Sequence, residues 1–447
     1  MAESLLWSLL GAIGASLLGL IPALHIYNIA GFLLLLNSSG RLPLTSEAMA
    51  FLFLGMIAGY VMANTIPSIF LSAPDESMIF VVLPGQKYLL QRRGFEAVAL
   101  TGLGSFGGLM VLVVITPFAH QILPGLRQIL SPHLPWILWA VIAYMLLSEW
   151  PKGTGRAPTG WGRWWDGWRS LIAGLATFLL SGLLGFVLLY RSPIPTEVAY
   201  QNLLPAFVGL FAVPWIISNL LSRAVLPPQH IARTLDLPWR SLVHGVAAGA
   251  LGGLFAAFFP VVTGGIGGFL AGHATAQRDD RTFLVAQGAS KAVYYVGGYL
   301  LFFVPGLHLT RGGMAWMTST QYTPYTPEHY YRATAAALLG GAVAFLLSLL
   351  LARTLISVLG LSTGPGKTQD INYRAISWGT LGLLMLVVGG LTGPAGLAVC
   401  AVASGIGLIP VLWGSRRMNA MGVLLLPIAL NMIGVGDQIA AFLSLLD

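Results

Sequence analysis

The sequence predicts an all-α polytopic membrane protein of about 10–12 helices, arranged as two related repeats that contain broken or re-entrant helices. Of the 447 residues, 56% are hydrophobic and 9% are charged, and the mean hydropathy is +0.80. Soluble domains carry about 25% charged residues. Apolar runs of the roughly 20 residues needed to cross a bilayer recur along the whole chain. These observations exclude a soluble globular protein.

Each candidate span is an apolar run bounded by polar, proline-rich or glycine-rich residues. The final apolar stretch, residues 420–445, forms one or two further spans. The candidate spans before it are residues 5–21, 47–71, 95–119, 135–149, 170–190, 203–222, 240–259, 282–304, 333–358, 375–391 and 395–413.

The net charge of +8 lies mostly in the connecting segments and has two open explanations. It could reflect the positive-inside rule together with contact to anionic lipid. It could also attract an anionic substrate. The connection Trp150–Arg169 combines basic residues with tryptophans, which is typical of an interfacial anchor. We expect contact with membrane lipid and no nucleic-acid partner.

The N-terminus and the single cysteine bear on processing and on metal binding, and they leave the redox compartment open. The first residues lack the basic flank of a secretory signal, so we expect them to be retained. Cys400 is the only cysteine, which excludes an intrachain disulfide and a thiolate metal cluster. We expect an integral protein of a prokaryotic inner (cytoplasmic) membrane.

An internal repeat is the most informative feature of the chain. Residues 11–34 read GAIGASLLGLIPALHIYNIAGFLL, and residues 249–272 read GALGGLFAAFFPVVTGGIGGFLAG. We therefore predict a first transmembrane repeat at residues 1–230 and a second at residues 231–447. The pair could be parallel or inverted, and re-entrant hairpins in an inverted pair are favoured. At a constant offset Gly11, Gly14 and Pro22 align with Gly249, Gly252 and Pro260.

Each repeat breaks an apolar helix at a proline. Proline lacks an N–H group and clashes with the preceding turn, so the helices should end near Ile21 and Phe259. Interrupted backbone in hydrocarbon is tolerated where protein buries it or where it lines a wet cavity. A restarted helix would direct free N–H groups at that cavity, where they could bind an anion. The alternative is that both prolines only kink packed helices. The candidate substrate-binding residues of the two steps are Pro22, His25, Asn28, Pro260, Thr263, Gly264 and Gly265.

A second polar cluster ends the span 47–71. Asn64 and Ser68 lie beside a helix-breaking proline and are further candidates for substrate binding. Asp75 and Glu76 follow, and carboxylates at this depth are costly unless they are solvated, paired or used. They could carry a coupling ion, a proton or sodium. They could instead cap a helix that begins at Ser77.

Lys291 lies near the middle of the apolar run 282–304 and is the strongest candidate for a buried charge. An ionisable residue within a membrane segment is a functional hypothesis by default. Lys291 could neutralise an anionic substrate or pair with a carboxylate. If its helix starts later than predicted, the side chain only snorkels to the interface.

Other motif matches carry no function. Gly364–Thr368 imitates the end of a phosphate-binding loop, but the first glycine of that motif would fall at Leu361 and no strand precedes it. The histidines lack metal-ligand spacing. We therefore expect no enzyme activity, no cofactor and no metal.

At these residues the chain resembles the large membrane subunit of the tripartite tricarboxylate transporter family, TctA-like, and especially its shorter archaeal-type branch. The resemblance implies that the two Pro-Gly substrate loops of that family correspond to residues 22–28 and 260–265. Here Ala23 and Val261 replace the glycine after each proline, and Lys291 stands in a region where the family usually shows asparagine. The matching pieces are residues 21–34, 66–98, 259–272, 279–288 and 415–430.

The second loop, PVVTGGIGGFLAG, is also similar to a loop of membrane proteins that return polyprenyl-phosphate carriers across the bilayer. The leading hypothesis is a secondary transporter of a carboxylate-type anion that works by alternating access. A translocase for a polyprenyl-phosphate lipid and a non-transporting membrane scaffold are the alternatives. Possible partners are an anionic small molecule or a lipid phosphate, a second copy in a homodimer, and a soluble substrate-binding protein.

Overall fold

Helices form at the apolar segments that the sequence predicts. This computed structural model describes residues 2–22, 24–151, 160–195, 202–222, 225–275, 279–324, 326–361 and 371–446. The loop-like motif Gly364–Thr368, and Lys152 and Arg156 of the Trp-rich connection, lie outside the described residues. Within the described residues, seven helices are long and apolar enough to cross a membrane, or eight if one bent pair is a single span. The prediction of an all-α polytopic membrane protein is confirmed.

Contacts divide the chain into two compact units. Unit 1 comprises Met1–Leu130 and Arg223–Ile376. Its longest helix, Gly94–Leu130, contains two prolines, and a two-residue pairing joins strands β1 (Val225–Leu226) and β2 (Ile371–Asn372). The helices of unit 1 are α1 (Ala2–Leu18), α2 (Ile26–Ser38), α3 (Ser46–Ala63), α4 (Thr65–Phe70), α5 (Val82–Leu90), α6 (Gly94–Leu130), α11 (Trp239–Phe258), α12 (Gly264–Ala274), α13 (Asp280–Ala292), α14 (Gly298–Phe303), α15 (Gly313–Ser319) and α16 (Pro327–Val358).

Unit 2 comprises Ser131–Ser222 and Ser377–Asp447. Its helices are α7 (Leu134–Leu147), α8 (Gly160–Tyr190), α9 (Leu204–Phe207), α10 (Val213–Leu221), α17 (Tyr373–Trp413, whose first residues belong to unit 1), α18 (Gly422–Met432) and α19 (Gly436–Phe442). Gly393, with φ +66°, breaks α17 between the two predicted spans, and α18 and α19 meet at a bend of 114°. One π-helical segment lies in each unit, Val293–Gly297 in unit 1 and Val208–Ala212 in unit 2.

Both predicted proline breaks are present in unit 1. The two segments of unit 1, Met1–Leu130 and Arg223–Ile376, are its two halves. The first helix of each half ends at the break, α1 at Leu18 and α11 at Phe258, and a short helix follows each break. Those short helices, α2 with 13 residues and α12 with 11, are each below the roughly 20 residues needed to cross a bilayer. The order helix, break, short helix, helix therefore recurs. Its orientation, and the division at residue 230, stay predictions.

The two halves of unit 1 pack into one another. Helix α3 packs against α1 of its own half and against α16 of the other half. Helix α13 packs in the same way against α11 and against α6. Each half therefore supplies a long helix to the other, so neither half encloses its own core.

Helix α1 has the inside-out pattern of a helix that faces lipid. Small residues such as Ser8 and Ala12 are buried, whereas a stripe of large apolar side chains is exposed. Helices in membranes associate through small residues that let backbones approach closely. A Cβ atom added to Gly11 would lie 2.2 Å from the carbonyl oxygen of Leu52 in α3. The exposed stripe consists of Leu6, Leu10, Ile13 and Leu17.

We predict that Gly11→Ala lowers the free energy of unfolding by about 1–3 kcal/mol, because the added methyl group forces α1 and α3 apart. Gly14→Ala on the same helix is the matched control, since no heavy atom of a neighbouring described residue lies within 4 Å of its Cβ position. The control should change stability by less than about 0.5 kcal/mol. Reversible denaturation in detergent micelles measures both. Equal losses would contradict close packing of α1 on α3.

Candidate functional site

Lys291 is a fully buried lysine whose side chain reaches the junction of α3 and α4. Its side chain is 0% exposed, so it does not snorkel to an interface. The ammonium nitrogen donates to Oδ1 of Asn64 at 2.6 Å and to Oγ1 of Thr65 at 2.7 Å. Asn64 is the residue between α3 and α4, where the apolar run is interrupted. The predicted buried charge and the predicted polar break are therefore in direct contact.

Asn64 links Lys291 to the carboxylate of Asp75. Its amide nitrogen donates to Oδ2 of Asp75 at 2.6 Å, and the hydroxyl of Tyr60 donates to the same oxygen at 2.9 Å. The other oxygen of Asp75 accepts from the backbone N–H and the hydroxyl of Ser77. Four hydrogen-bond donors therefore surround this one carboxyl group. The proposed cap of a helix at Ser77 is wrong, because the next described helix, α5, begins at Val82.

Glu76 lies against the first helix break. Its Oε1 accepts from the hydroxyl of Tyr295 at 2.8 Å and lies 3.6 Å from Nε2 of His25. Nδ1 of His25 accepts from the backbone N–H of Tyr27 and so caps α2. A neutral His25 therefore carries its proton on Nε2, which lies 3.1 Å from the hydroxyl oxygen of Tyr295. His25, Tyr295 and Glu76 form a continuous hydrogen-bonded chain.

The second helix break reaches the same segment. Thr263 caps α12 by accepting from the backbone N–H of Ile266. A Cβ atom on Gly265 would lie 3.1 Å from the carbonyl oxygens of Glu76 and Ser77, and one on Gly264 would lie 3.1 Å from Cα of Lys291. Glycine at both positions permits this close approach. Both breaks therefore meet at residues 75–77.

Arg311 satisfies the backbone freed by the second break. One of its terminal nitrogens donates to the carbonyl oxygens of Ala256, Phe259 and Val262. These carbonyls lie at the end of α11 and in the following loop, where helical partners are missing. Arg311 was not among the residues predicted from sequence.

Five of the twelve predicted site residues lie together in one place, which we call the buried charged cluster: His25, Asn64, Asp75, Glu76 and Lys291. Thr263, Gly264 and Gly265 border the cluster, and Pro22 and Pro260 lie within the two breaks. Asn28 is buried in the first turn of α2, and its amide nitrogen has no acceptor among the described residues. The hydroxyl of Ser68 donates to the backbone carbonyl of Asn64 in its own helix.

Two tyrosines that donate hydrogen bonds to carboxylates of the buried charged cluster were not predicted. Tyr60 precedes Asn64 by four residues, and Tyr295 follows Lys291 by four. Residues four apart lie on the same face of a helix. A tyrosine one turn from a predicted polar residue is thus the sequence signal that could have found both.

The cluster also has the groups to hold a cation. One ligand atom each from His25, Asp75 and Glu76 can be chosen so that all lie within 4.8 Å of one another. Oxygen and imidazole ligands at this separation suit a small cation.

Lys87, unlike Lys291, is exposed to solvent. It pairs with Asp280, whose carboxylate raises the pKa of Lys87 above its ordinary value.

An apolar bundle that buries ionisable groups at two interrupted helices has the architecture of a membrane transporter. The family described as the Tripartite tricarboxylate transporter TctA family matches residues 5–422. The chain belongs to this family, and the resemblance seen in the sequence is confirmed.

One relative is an uncharacterized protein of Methanocaldococcus jannaschii, which is 28% identical to this chain over 290 residues. The matched region covers 64% of this chain and 65% of the relative, slightly less than two thirds of its length. No solved structure matches the chain at a significant level.

Val261 occupies a strained backbone position directly after Pro260. Its φ is +62°, in the left-handed region that β-branched residues rarely adopt. A glycine would adopt this conformation without strain, which agrees with the glycine expected there from the family resemblance. The loop therefore keeps the glycine-type conformation although the residue has changed.

We predict that Val261→Gly costs less stability than Val262→Gly by at least about 1 kcal/mol, because only the former relieves backbone strain. Both substitutions remove a valine that is at most 9% exposed, so the loss of burial is similar. Denaturation of the two variants in the same detergent measures the difference. Equal losses would show that the backbone at Val261 is not strained.

Proposed function

We propose that this chain is a secondary transporter of a carboxylate-type anion, with the substrate site at the buried charged cluster and alternating access between the two halves of unit 1. Family membership supports the transporter class. The observation that carries the proposal is Lys291, a fully buried side-chain amine that contacts only neutral oxygen atoms among the described residues.

The ammonium group of Lys291 has one N–H donor available for an anion. An ammonium group has three N–H donors, and two of them have acceptors among the described residues. A buried charge is costly unless it is paired. Within the described part of the chain, hydrogen bonds connect Asp75 to Lys291 through the amide of Asn64, so Asp75 compensates the charge at a distance. A substrate carboxylate on the third donor would complete the pairing.

The two short helices add to the attraction of an anion. The N-termini of α2 and α12 both lie against residues 75–77, through His25 and through Gly265. Helix N-termini carry partial positive charge and stabilise anions. In this structure the carboxylate of Glu76 lies beside these helix N-termini, and its Oε2 has no hydrogen-bond partner among the described residues. A substrate carboxylate and the Glu76 carboxylate would therefore compete for the same donors.

This competition supplies a coupling mechanism. A proton or sodium ion at Glu76, with Asp75 and His25 beside it, would neutralise the internal carboxylate and free the donors for substrate. Binding of ion and substrate would then favour each other, as coupled transport requires. The proposal includes a soluble binding protein that delivers substrate, inverted repeats, and a prokaryotic inner membrane as the location.

We predict that Lys291→Met reduces uptake of radiolabelled citrate or succinate into proteoliposomes at least about 100-fold, because the buried anion loses its charged partner. Lys87→Met is the matched control, since it removes the same charge from an exposed lysine. The control should retain uptake within about twofold.

Circular dichroism and gel filtration would verify that both variants fold. Normal uptake by a folded Lys291→Met protein would remove Lys291 from the site. Translocation of polyprenyl phosphate by wild-type protein that takes up no carboxylate would favour the lipid alternative.

A further prediction concerns Glu76→Gln, which leaves a permanently neutral side chain of similar shape. We expect exchange of labelled for unlabelled substrate to persist within about fivefold, while accumulation driven by an imposed proton or sodium gradient is lost. Counterflow and gradient-driven uptake, measured on the same proteoliposomes, separate the two activities. Gradient-driven accumulation by the variant at the wild-type level would exclude Glu76 as the coupling group.

A further inference from the structure

Unit 2 contains hydrogen-bond donors without acceptors. Nε1 of Trp215 and Nδ2 of Asn219 on α10 are buried, and so are Oγ of Ser415 and Nη1 of Arg417 in the segment after α17. None of these four atoms has a hydrogen-bond partner among the described residues. Trp215 and Asn219 are each 8% exposed. Buried polar groups are almost always hydrogen-bonded, so this group needs an explanation.

The two segments meet at a stacked pair. Cζ of Arg417 lies over the ring of Trp215, 3.3 Å from its centre. Asn219 lies one turn after Trp215 on the same helix, and Ser415 lies two residues before Arg417. The four donors thus flank one contact between α10 and the segment after α17.

No described carboxylate pairs with Arg417. Glu149, a buried acid of the same unit, accepts from the backbone N–H of Arg416 and from the amide nitrogen of Asn419. Leaving a buried donor unsatisfied costs about 1–3 kcal/mol, and more when the donor is charged. The stack on Trp215 leaves the edge of the guanidinium free, and that edge binds phosphate in a two-pronged geometry. The missing partner is therefore an anion with several oxygen atoms.

Tryptophans place this cluster at a membrane interface. Trp413 ends α17 two residues before Ser415, and its ring lies 5.9 Å from that of Trp165. Trp161 and Trp164, in the same first turns of α8, are exposed. Tryptophans concentrate at the level of the lipid headgroups. An anion at this depth is most simply the phosphate of a lipid.

We propose that Trp215, Asn219, Ser415 and Arg417 form a binding site for the phosphate group of a membrane lipid. The site lies in unit 2 and uses none of the residues of the buried charged cluster in unit 1. It is independent of the identity of the transported substrate. Its occupant satisfies the four donors and neutralises Arg417.

Native mass spectrometry of the full chain, titrated with phosphatidylglycerol, tests the site. Arg417→Gln is expected to weaken binding of the tightest lipid at least about tenfold, because the substitution removes the charged guanidinium group that would bind phosphate through two N–H groups. Trp215→Phe keeps an aromatic ring at this position but replaces the indole and removes its N–H, so binding should weaken about three- to tenfold. Arg353→Gln is the matched control, because it removes the same charge from an exposed helical position and should leave binding unchanged.

Lipid affinity that is unchanged in both Arg417→Gln and Trp215→Phe would overturn the proposal. If Arg417→Gln does not fold, Trp215→Phe decides the outcome alone. Inorganic phosphate distinguishes the two sources of the phosphate group. Displacement of the tightest lipid by millimolar inorganic phosphate would overturn the assignment to lipid, and failure to displace it supports the lipid.

Discussion

Backbone groups set free by the two helix breaks must find partners away from water, and this requirement organises unit 1. In hydrocarbon, unpaired N–H and C=O groups are tolerated only inside protein or beside a wet cavity. Here Arg311 supplies donors to the carbonyls that end α11, while His25 and Thr263 accept from the first N–H groups of α2 and α12. The polar side chains that hydrogen-bond to the backbone at the breaks also lie in or beside the candidate site.

Close packing of the backbone lets a few polar side chains reach the unpaired groups at both helix breaks. Glycines allow one backbone to lie almost directly on the next, as Gly11 does on α3 and Gly265 does on residues 76–77. The cluster is consequently enclosed by main chain as well as by side chains. The ionisable groups of His25, Asp75 and Glu76 interact strongly because their ligand atoms lie within 4.8 Å of one another. A change at one ionisable group should be felt by the others.

Features that depend on neighbouring residues could be predicted from the sequence. Hydropathy located the spans, and Pro22 and Pro260 located the breaks to within a few residues, because both effects are local. Lys291 could be recognised because a charge within an apolar run is conspicuous. The alternative of a helix that begins at Ser77 is wrong, because residues 76–81 form turns and α5 begins at Val82.

Contacts between distant parts of the chain could not be predicted. Tyr295 meets Glu76 across more than two hundred residues, and Arg311 repairs a break some fifty residues earlier. The division into units was equally hidden, because the chain leaves unit 1 after Leu130 and returns at Arg223. Such contacts arise from packing, which a single sequence does not reveal.

The π-helical segment Val293–Gly297 has a mechanical consequence. A π-turn holds one residue more than an α-turn, so α14 is rotated by roughly 100° from the position that an uninterrupted helix would give it. The extra residue lies in the turn that carries Tyr295, whose hydroxyl donates to Glu76. The irregular turn therefore sets which face of this helix is presented to the cluster.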